Sequence, residues 1–290
     1  MNQVAENIEV RRPPMRYHGG KWMLAPWIIS HFPNHRTYVE PYGGGASVLM
    51  RKPRSYSEVY NDAWGDVVNV FKVLRDSGEQ LIELLALTPF SRDEFILTSE
   101  RSADPVEQAR RTIFRSLAGF GSAAVNGKYA TGFRANSSRS GTTPAQDWMN
   151  YPNHVEAFVT RLRGVVIENK DAWAVMLHHD SDVALHYVDP PYMHETRNMK
   201  RGNAAYEMEM TVEDHEVLLE RIQTLAGAVI ISGYRTDLYD DTLSTWSRVD
   251  RAAKADGARD RIESLWLNPA AGRHGQQRMD LGACAPRDRK

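Results

Sequence analysis

Apolar positions along the chain switch between helical and strand periods, and the switches outline the elements. Trp22, Leu24, Trp27, Ile28 and Phe32 recur at the spacing of a buried helix face behind Gly19-Gly20. A short strand is predicted over Thr37 to Glu40, followed by Gly43-Gly44-Gly45 and the small-residue start of a helix. SEVYND (57–62) reads as a second strand, and Val67, Val68, Phe71 and Leu74 place a helix after it. Strand, glycine turn, helix, strand is the opening of an α/β sheet. From about Ser77 to Gln108 the text is amphipathic and helical, whereas 119–150 is rich in Gly, Ser, Ala, Asn and Thr with little periodicity. A helix resumes over 154–163, and VVIENK (165–170) and ALHYV (184–188) read as strands. Thr211, three residues before Asp214, predicts a capped amphipathic helix. GAVIISGY (227–234) is a fully apolar strand, expected at the centre of a mostly parallel sheet. The charged run from Arg248 to Arg261 reads as a mobile loop, and RIESLWLNP (261–269) as a late strand.

The division that follows is a catalytic α/β unit over 15–75 and 165–270, interrupted by a mainly helical insertion over 76–164. Residues 1–14, ending Arg11-Arg12-Pro13-Pro14, read as a flexible lead-in, and 271–290 as a flexible tail. Composition narrows the function. Hydrophobic residues at 42% support a real core, and 36 basic against 37 acidic residues (36 − 37 = −1) exclude a general polycation. A nucleic-acid contact must therefore be local, and one region qualifies. Between 101 and 140 lie Arg101, Arg110, Arg111, Arg115, Lys128, Arg134 and Arg139, against only Asp104 and Glu107. The single cysteine, Cys284, excludes a disulfide framework and a four-cysteine zinc site. His178-His179-Asp180 has no partner cluster, its two histidines being expected on opposite sides of a strand, so no metal is expected. No apolar run approaches the roughly 20 residues of a membrane span and no signal-peptide segment opens the chain, so a cytoplasmic protein with no membrane partner is expected.

The most informative chemistry is Asp189-Pro190-Pro191-Tyr192, at the end of a strand, where open α/β sheets bind ligands. Two prolines remove two N–H donors, leaving a carboxylate, bare carbonyls and an aromatic face. These suit a flat ligand carrying an amine, such as a nucleobase: Asp189 and the Pro190 carbonyl accept its N–H groups while Tyr192 stacks on the ring. A plain proline turn is the alternative reading. Glu40-Pro41-Tyr42-Gly43-Gly44-Gly45 follows the first strand, where absent side chains admit a cofactor to the backbone. The third glycine of the dinucleotide fingerprint is Val48, which disfavours a dinucleotide oxidoreductase. Asp62 follows Gly43 by 62 − 43 = 19 residues, the usual place for a carboxylate that holds ribose. Together these suggest an adenosine-type cofactor without a pyrophosphate, such as S-adenosylmethionine; a tight turn and a helix N-cap remain the plainer readings.

With these motifs in place, the sequence resembles the Dam-type, D12-class (α-group) DNA adenine-N6 methyltransferases from about Met15 to Pro269. Tyr17-His18-Gly19-Gly20-Lys21 is similar to that family's N-terminal cofactor segment, Tyr38 through Gly45 to its glycine motif, Asn61-Asp62 to its ribose-binding turn, and Asp189-Pro190-Pro191-Tyr192 to its catalytic motif. Thr211 through His215, Ile231-Ser232-Gly233-Tyr234 and Leu265 through Pro269 match recurring downstream segments. The resemblance implies a Rossmann-like S-adenosylmethionine-dependent sheet with an inserted DNA-recognition domain. It implies that Tyr17, Lys21, Glu40, Tyr42, Gly43, Gly45, Asp62 and Asp171 hold the cofactor, that Asp189, Pro190, Pro191 and Tyr192 are catalytic, and that no metal is needed. Lys128, Arg134 and Arg139 are the expected contacts to double-stranded DNA, and a cognate restriction endonuclease is one candidate partner, with an orphan or phage-encoded enzyme lacking one as the open alternative. Two departures stand out. Asp171 precedes Ala172 where many members have Phe, so Trp173 or another residue must pack on the adenine. Residues 126–134 also differ from the hairpin of GATC-reading members, so that specificity does not transfer. Cytosine-N4 transfer and a catalytically silent DNA-binding relative are the competing expectations.

Overall fold

The computed structural model describes residues 9–126, 131–135, 142–193, 208–254 and 260–272. Its centre is a seven-stranded sheet in the order β3-β2-β1-β4-β5-β7-β6. The strands are β1 (Thr37–Glu40), β2 (Ser57–Asn61), β3 (Val165–Glu168), β4 (Ala184–Val188), β5 (Ala228–Gly233), β6 (Ser247–Lys254) and β7 (Asp260–Leu267). The first five in that order pair in parallel, and β7 runs antiparallel to both β5 and β6. Every residue of β4 and β5 is buried, which accounts for their apolar text. From β1 the chain steps outward to β2 and β3, then returns to lay β4 on the other side of β1. That reversal is a topological switch point, and it brings the ends of β1 and β4 together where ligands bind such sheets.

Helix α1 (Ala25–Ser30) precedes β1 and α2 (Ser47–Arg51) follows it, while α3 (Gly65–Asp76), α4 (Gly78–Leu87), α5 (Arg92–Leu97), α6 (Pro105–Ala118), α7 (Pro144–Asn150) and α8 (Val155–Leu162) lie between β2 and β3 in the chain. Their inner residues, among them Phe114, Trp148 and Phe158, share one apolar cluster with Tyr38, Tyr60 and Tyr187 of the sheet. The other face is covered by α10 (Val212–Ile222) and α11 (Asp237–Thr242), through Leu218, Leu219, Ile222 and Tyr239 against Val229, Ile231 and Trp266.

Four expectations are corrected. Arg248 to Arg261 is not a loop over the described residues, because Ser247–Lys254 pairs in register with Asp260–Leu267, from Ser247 opposite Leu267 to Lys254 opposite Asp260. Asn150 closes a helix that low periodicity concealed; it starts at a Thr143–Gln146 capping box. His178 and His179 sit at the end of helix α9 (Ala172–His178), their rings edge to face, rather than on a strand. The lead-in is pinned at two points: Arg12 donates to Asp147 Oδ1 at 2.8 Å, and the Pro14 carbonyl accepts the Tyr151 hydroxyl. Among the described residues, no helix is long and apolar enough to cross a membrane, and no three His, Cys, Asp or Glu side chains cluster as metal ligands.

The helices are bolted to the sheet by charge. Glu58 on β2 accepts from Arg161 of α8 at 2.6 Å and from Lys52 at 2.6 Å, and Arg161 also donates to the Leu49 carbonyl. Burial pushes the Glu58 carboxyl up, but Arg161 and Lys52 outweigh it and hold the group below the ordinary carboxylate range. A depressed folded value means the stabilisation is present at neutral pH and fades as pH falls through the carboxylate range. Arg161→Ala is expected to cost about 2–4 kcal/mol at neutral pH and clearly less near pH 4, measured by urea unfolding at both.

Candidate active site

A cavity of about 550 Å³ opens at the switch point, within the usual range for small-ligand sites. Its wall includes Tyr17, Lys21, Glu40, Tyr42, Gly43, Gly45, Asp62, Asp171, Asp189 and Pro191, all singled out in the sequence. The glycine bend after β1 is built by close approach. A Cβ on Gly43 would stand 2.1 Å from the Tyr60 ring, and one on Gly44, whose φ is +46°, 2.7 Å from the Tyr17 ring. Asp62, just past β2, locks that bend: Oδ2 accepts from the Gly44 amide and Oδ1 from the Trp64 amide, each at 2.8 Å. The helix N-cap falls at Trp64, so Asp62 is a turn clamp and not the cap. Burial raises the Asp62 carboxyl, against the pull of those two amides.

Glu40 ends β1, where one oxygen accepts both the Tyr38 hydroxyl at 2.7 Å and the Leu49 amide at 3.0 Å. Burial, aided by the nearby Asp189 charge, pushes it up to about 8 despite those donors. Tyr42 is half-buried, and desolvation raises its phenol. Asp171 accepts from the Ala174 amide at 2.9 Å as the N-cap of α9, which carries Trp173 onto the cavity wall. The Arg221 guanidinium lies 5.6 Å from the Trp173 ring centre.

Asp189 follows β4, and its Oδ1 accepts from the Ser232 hydroxyl on β5 at 2.8 Å. Lys21 Nζ lies 3.0 Å from the same oxygen and 3.7 Å from Glu263 Oε1 on β7. Pro190 and Tyr192 are both buried, unlike Pro191. The Tyr192 ring, expected to stack on a base, is 7% exposed; Lys21 Nζ lies 4.6 Å from its centre, Tyr234 meets it edge to face, and its hydroxyl donates to Glu263.

Sequence reading missed Glu263 and Ser232 as parts of this site. A signal for Glu263 existed: in β7 the outward position holds apolar Ile262, 57% exposed, while the acidic neighbour points inward, 3% exposed. Of the expected DNA contacts, Lys128 and Arg139 lie outside the described residues. Arg134 is described, its backbone amide donating to the Ala118 carbonyl at 2.7 Å next to Phe133, which packs on Phe90 and Phe95. Its Nε and Arg16 Nη1 are shut off from solvent without an acceptor among the described residues.

The sequence matches the D12 class N6 adenine-specific DNA methyltransferase family over residues 17–255. It is 28% identical over 212 residues to the Type II methyltransferase M1.LlaDCHI of Lactococcus lactis subsp. cremoris, a span covering 67% of this chain and 70% of that relative.

Glu40 yields a test independent of activity. Its folded value, about 8, lies above the ordinary 4.5, so the folded state retains the proton between the two and stability from this residue falls as pH rises across that window. Melting temperatures of the wild type and Glu40→Gln, followed over the same interval, are expected to diverge in the variant's favour as pH rises; a constant difference would contradict the assignment.

Proposed function

The chain belongs to the D12 class of N6 adenine-specific DNA methyltransferases, and from that membership and the site geometry we propose how its residues divide the work. One observation carries the reading: the glycine bend and Asp189 border the same cavity. Family membership also selects adenine N6 over the cytosine-N4 transfer that an Asp-Pro-Pro turn would suit equally.

S-adenosylmethionine is the methyl donor the family implies, and the wall fits it. Asp62, Asp171, Asp189, Glu209 and Asp214 outnumber Lys21 and Arg221, which favours a ligand with cationic groups. When bound, it would supply a sulfonium methyl whose carbon an amine nitrogen attacks directly as the thioether sulfur leaves, so no covalent enzyme adduct is required. Gly43 and Gly45 admit it to the backbone, Tyr17 and Tyr42 wall it in, and Trp173 provides the aromatic surface that Ala172 lacks. Asp62 and Asp171 accept its polar hydrogens with the lone pairs their amide partners leave over, and Glu40, protonated at neutral pH, offers a polar contact whose proton a bound cation would help displace.

The target adenine must leave the duplex, because its amine is out of reach while stacked. Asp189 and the Pro190 carbonyl then hold the two N–H groups, turning the nitrogen lone pair toward the methyl group. Pro191 shapes the turn, and Tyr192 supports the base once the ring is free to meet it. Positioning supplies most of the acceleration in such a site. One amine proton is lost in the reaction, and Asp189 is the base within reach.

Double-stranded DNA is the macromolecular substrate on this reading, gripped by Arg134 with Lys128 and Arg139 and joined by Arg16. The neighbouring, mutually repelling charges of Arg134 and Arg16 support this, because a phosphate would relieve their repulsion. The helical segment 76–164 is then the DNA-recognition part, and 15–75 with 165–270 the catalytic part. A Type II relative favours a cognate restriction endonuclease as partner, in the cytoplasm of a bacterial or phage-infected cell.

Asp189→Ala is expected to lower the rate of adenine methylation by about 10²-fold or more while S-adenosylmethionine affinity, measured by calorimetry, changes little. Retained turnover would refute the assigned role, and nucleoside analysis of digested product DNA reports the base. Replacing Arg16 and Arg134 together by Gln is expected to weaken binding to any duplex, and the slope of log affinity against log salt should fall by about 0.9 for each phosphate released. An unchanged slope would remove both residues from the interface.

A further inference from the structure

The two oxygens of Asp189 have different surroundings. Oδ1 is gripped by Ser232 at 2.8 Å and by Lys21 at 3.0 Å. Among the described residues nothing is hydrogen-bonded to Oδ2, and it is not sealed from solvent. The grip on Oδ1 thus decides which oxygen a ligand in the cavity meets.

Lys21 is in turn fixed from several sides. It donates to the Gly19 carbonyl at 2.8 Å, faces Glu263 Oε1 at 3.7 Å and lies against the Tyr192 ring. The Tyr192 hydroxyl donates to that same Glu263 oxygen. Glu263 therefore touches both groups that flank Asp189. Packing gives no reason for an acid here, since the next positions on the same face of the strand are Leu265 and Leu267, and a buried carboxylate is costly unless it is paired.

We propose that Glu263 is a positioning residue for methyl transfer: it anchors Lys21 and Tyr192, so that Lys21 holds Asp189 Oδ1 and leaves Oδ2 to take the substrate amine. The inference rests on the role of Asp189 proposed above. It also has an electrostatic side. Asp189, Lys21 and Glu263 sum to one negative charge (−1 + 1 − 1 = −1). An amine nitrogen becomes positive as its new bond forms, and fixed negative charge in a poorly solvated site favours that development. Without the Glu263 charge the remaining pair is neutral, and Lys21 draws Asp189 more strongly to itself.

Two substitutions separate charge from shape. Glu263→Gln keeps the size and an acceptor for Tyr192 but removes the charge; Glu263→Asp keeps the charge and shortens the reach. Single-turnover methylation of plasmid DNA from a methylation-free host is expected to slow about 10- to 100-fold in the Gln variant, the range typical of groups that orient a contacting residue. The Asp variant should recover part of that loss, and S-adenosylmethionine affinity by calorimetry should stay within a few-fold of wild type in both. A second readout needs no turnover. Pulse acetylation by acetic anhydride, followed by peptide mass spectrometry, should label Lys21 several-fold more in the Gln variant than in the wild type or the Asp variant, because an ammonium lacking its second carboxylate gives up its proton more readily. Wild-type rates in the Gln variant would overturn the proposal. So would equal losses in both variants accompanied by a lowered melting temperature, which would mark a purely structural residue. Should the wild type leave adenine unmodified under the same conditions, the reading of Asp189 itself fails, a result distinct from either.

Discussion

One buried ammonium holds three remote pieces of chain in register. Lys21 comes from the glycine-containing turn before the first helix, Asp189 from the end of β4, and Glu263 from the antiparallel strand β7. Each carboxylate would be unfavourable alone at this depth, and each becomes tolerable because Lys21 is shared. The arrangement leaves a surplus of negative charge beside the cavity. Glu40 registers that surplus, since Asp189 adds to the burial that raises its carboxyl. A site built this way is more comfortable with a cation nearby than without one.

The second constraint is steric and belongs to the backbone. Tyr60 and Tyr17 occupy the space that side chains at Gly43 and Gly44 would need, and Tyr60 donates to the Gly44 carbonyl at 2.8 Å. Asp62 closes the arrangement from the neighbouring strand. The bend is thus held by two tyrosines and a carboxylate before any ligand arrives. Preorganisation of this kind is what positioning catalysis requires, because the work of ordering is done during folding.

Much of the scaffold was legible in the text, for identifiable reasons. The parallel strands β1, β2, β4 and β5 are bounded by turns and dominated by buried residues, and β3 buries Val165 and Ile167, so their apolar runs stand out. The cavity residues Glu40, Gly43, Asp62, Asp171 and Asp189 were also legible, because each sits in a turn at or just beyond a strand end, and strand ends can be located from the pattern. β6 was not legible: it pairs only with β7 at the sheet edge, and its alternation of Arg248, Val249, Asp250 and Arg251 presents a single apolar residue among charges. Nor was α7, a seven-residue helix whose only signal is its cap. Ser232 and Glu263 meet the site through the β5–β7 register, where Ser232 lies opposite Leu265. An antiparallel return from a distant hairpin leaves no trace in local spacing.

The short stretch from Arg12 to Tyr17 behaves as a strap. Arg12 and Pro14 tie it to Asp147 and Tyr151 among the helices, Met15 is sunk in the core, and Tyr17 presses on the glycine bend. Six residues therefore connect those helices to the cavity wall along the backbone. Displacing those helices would pull on the residues packed against the glycine bend as well as on the sheet.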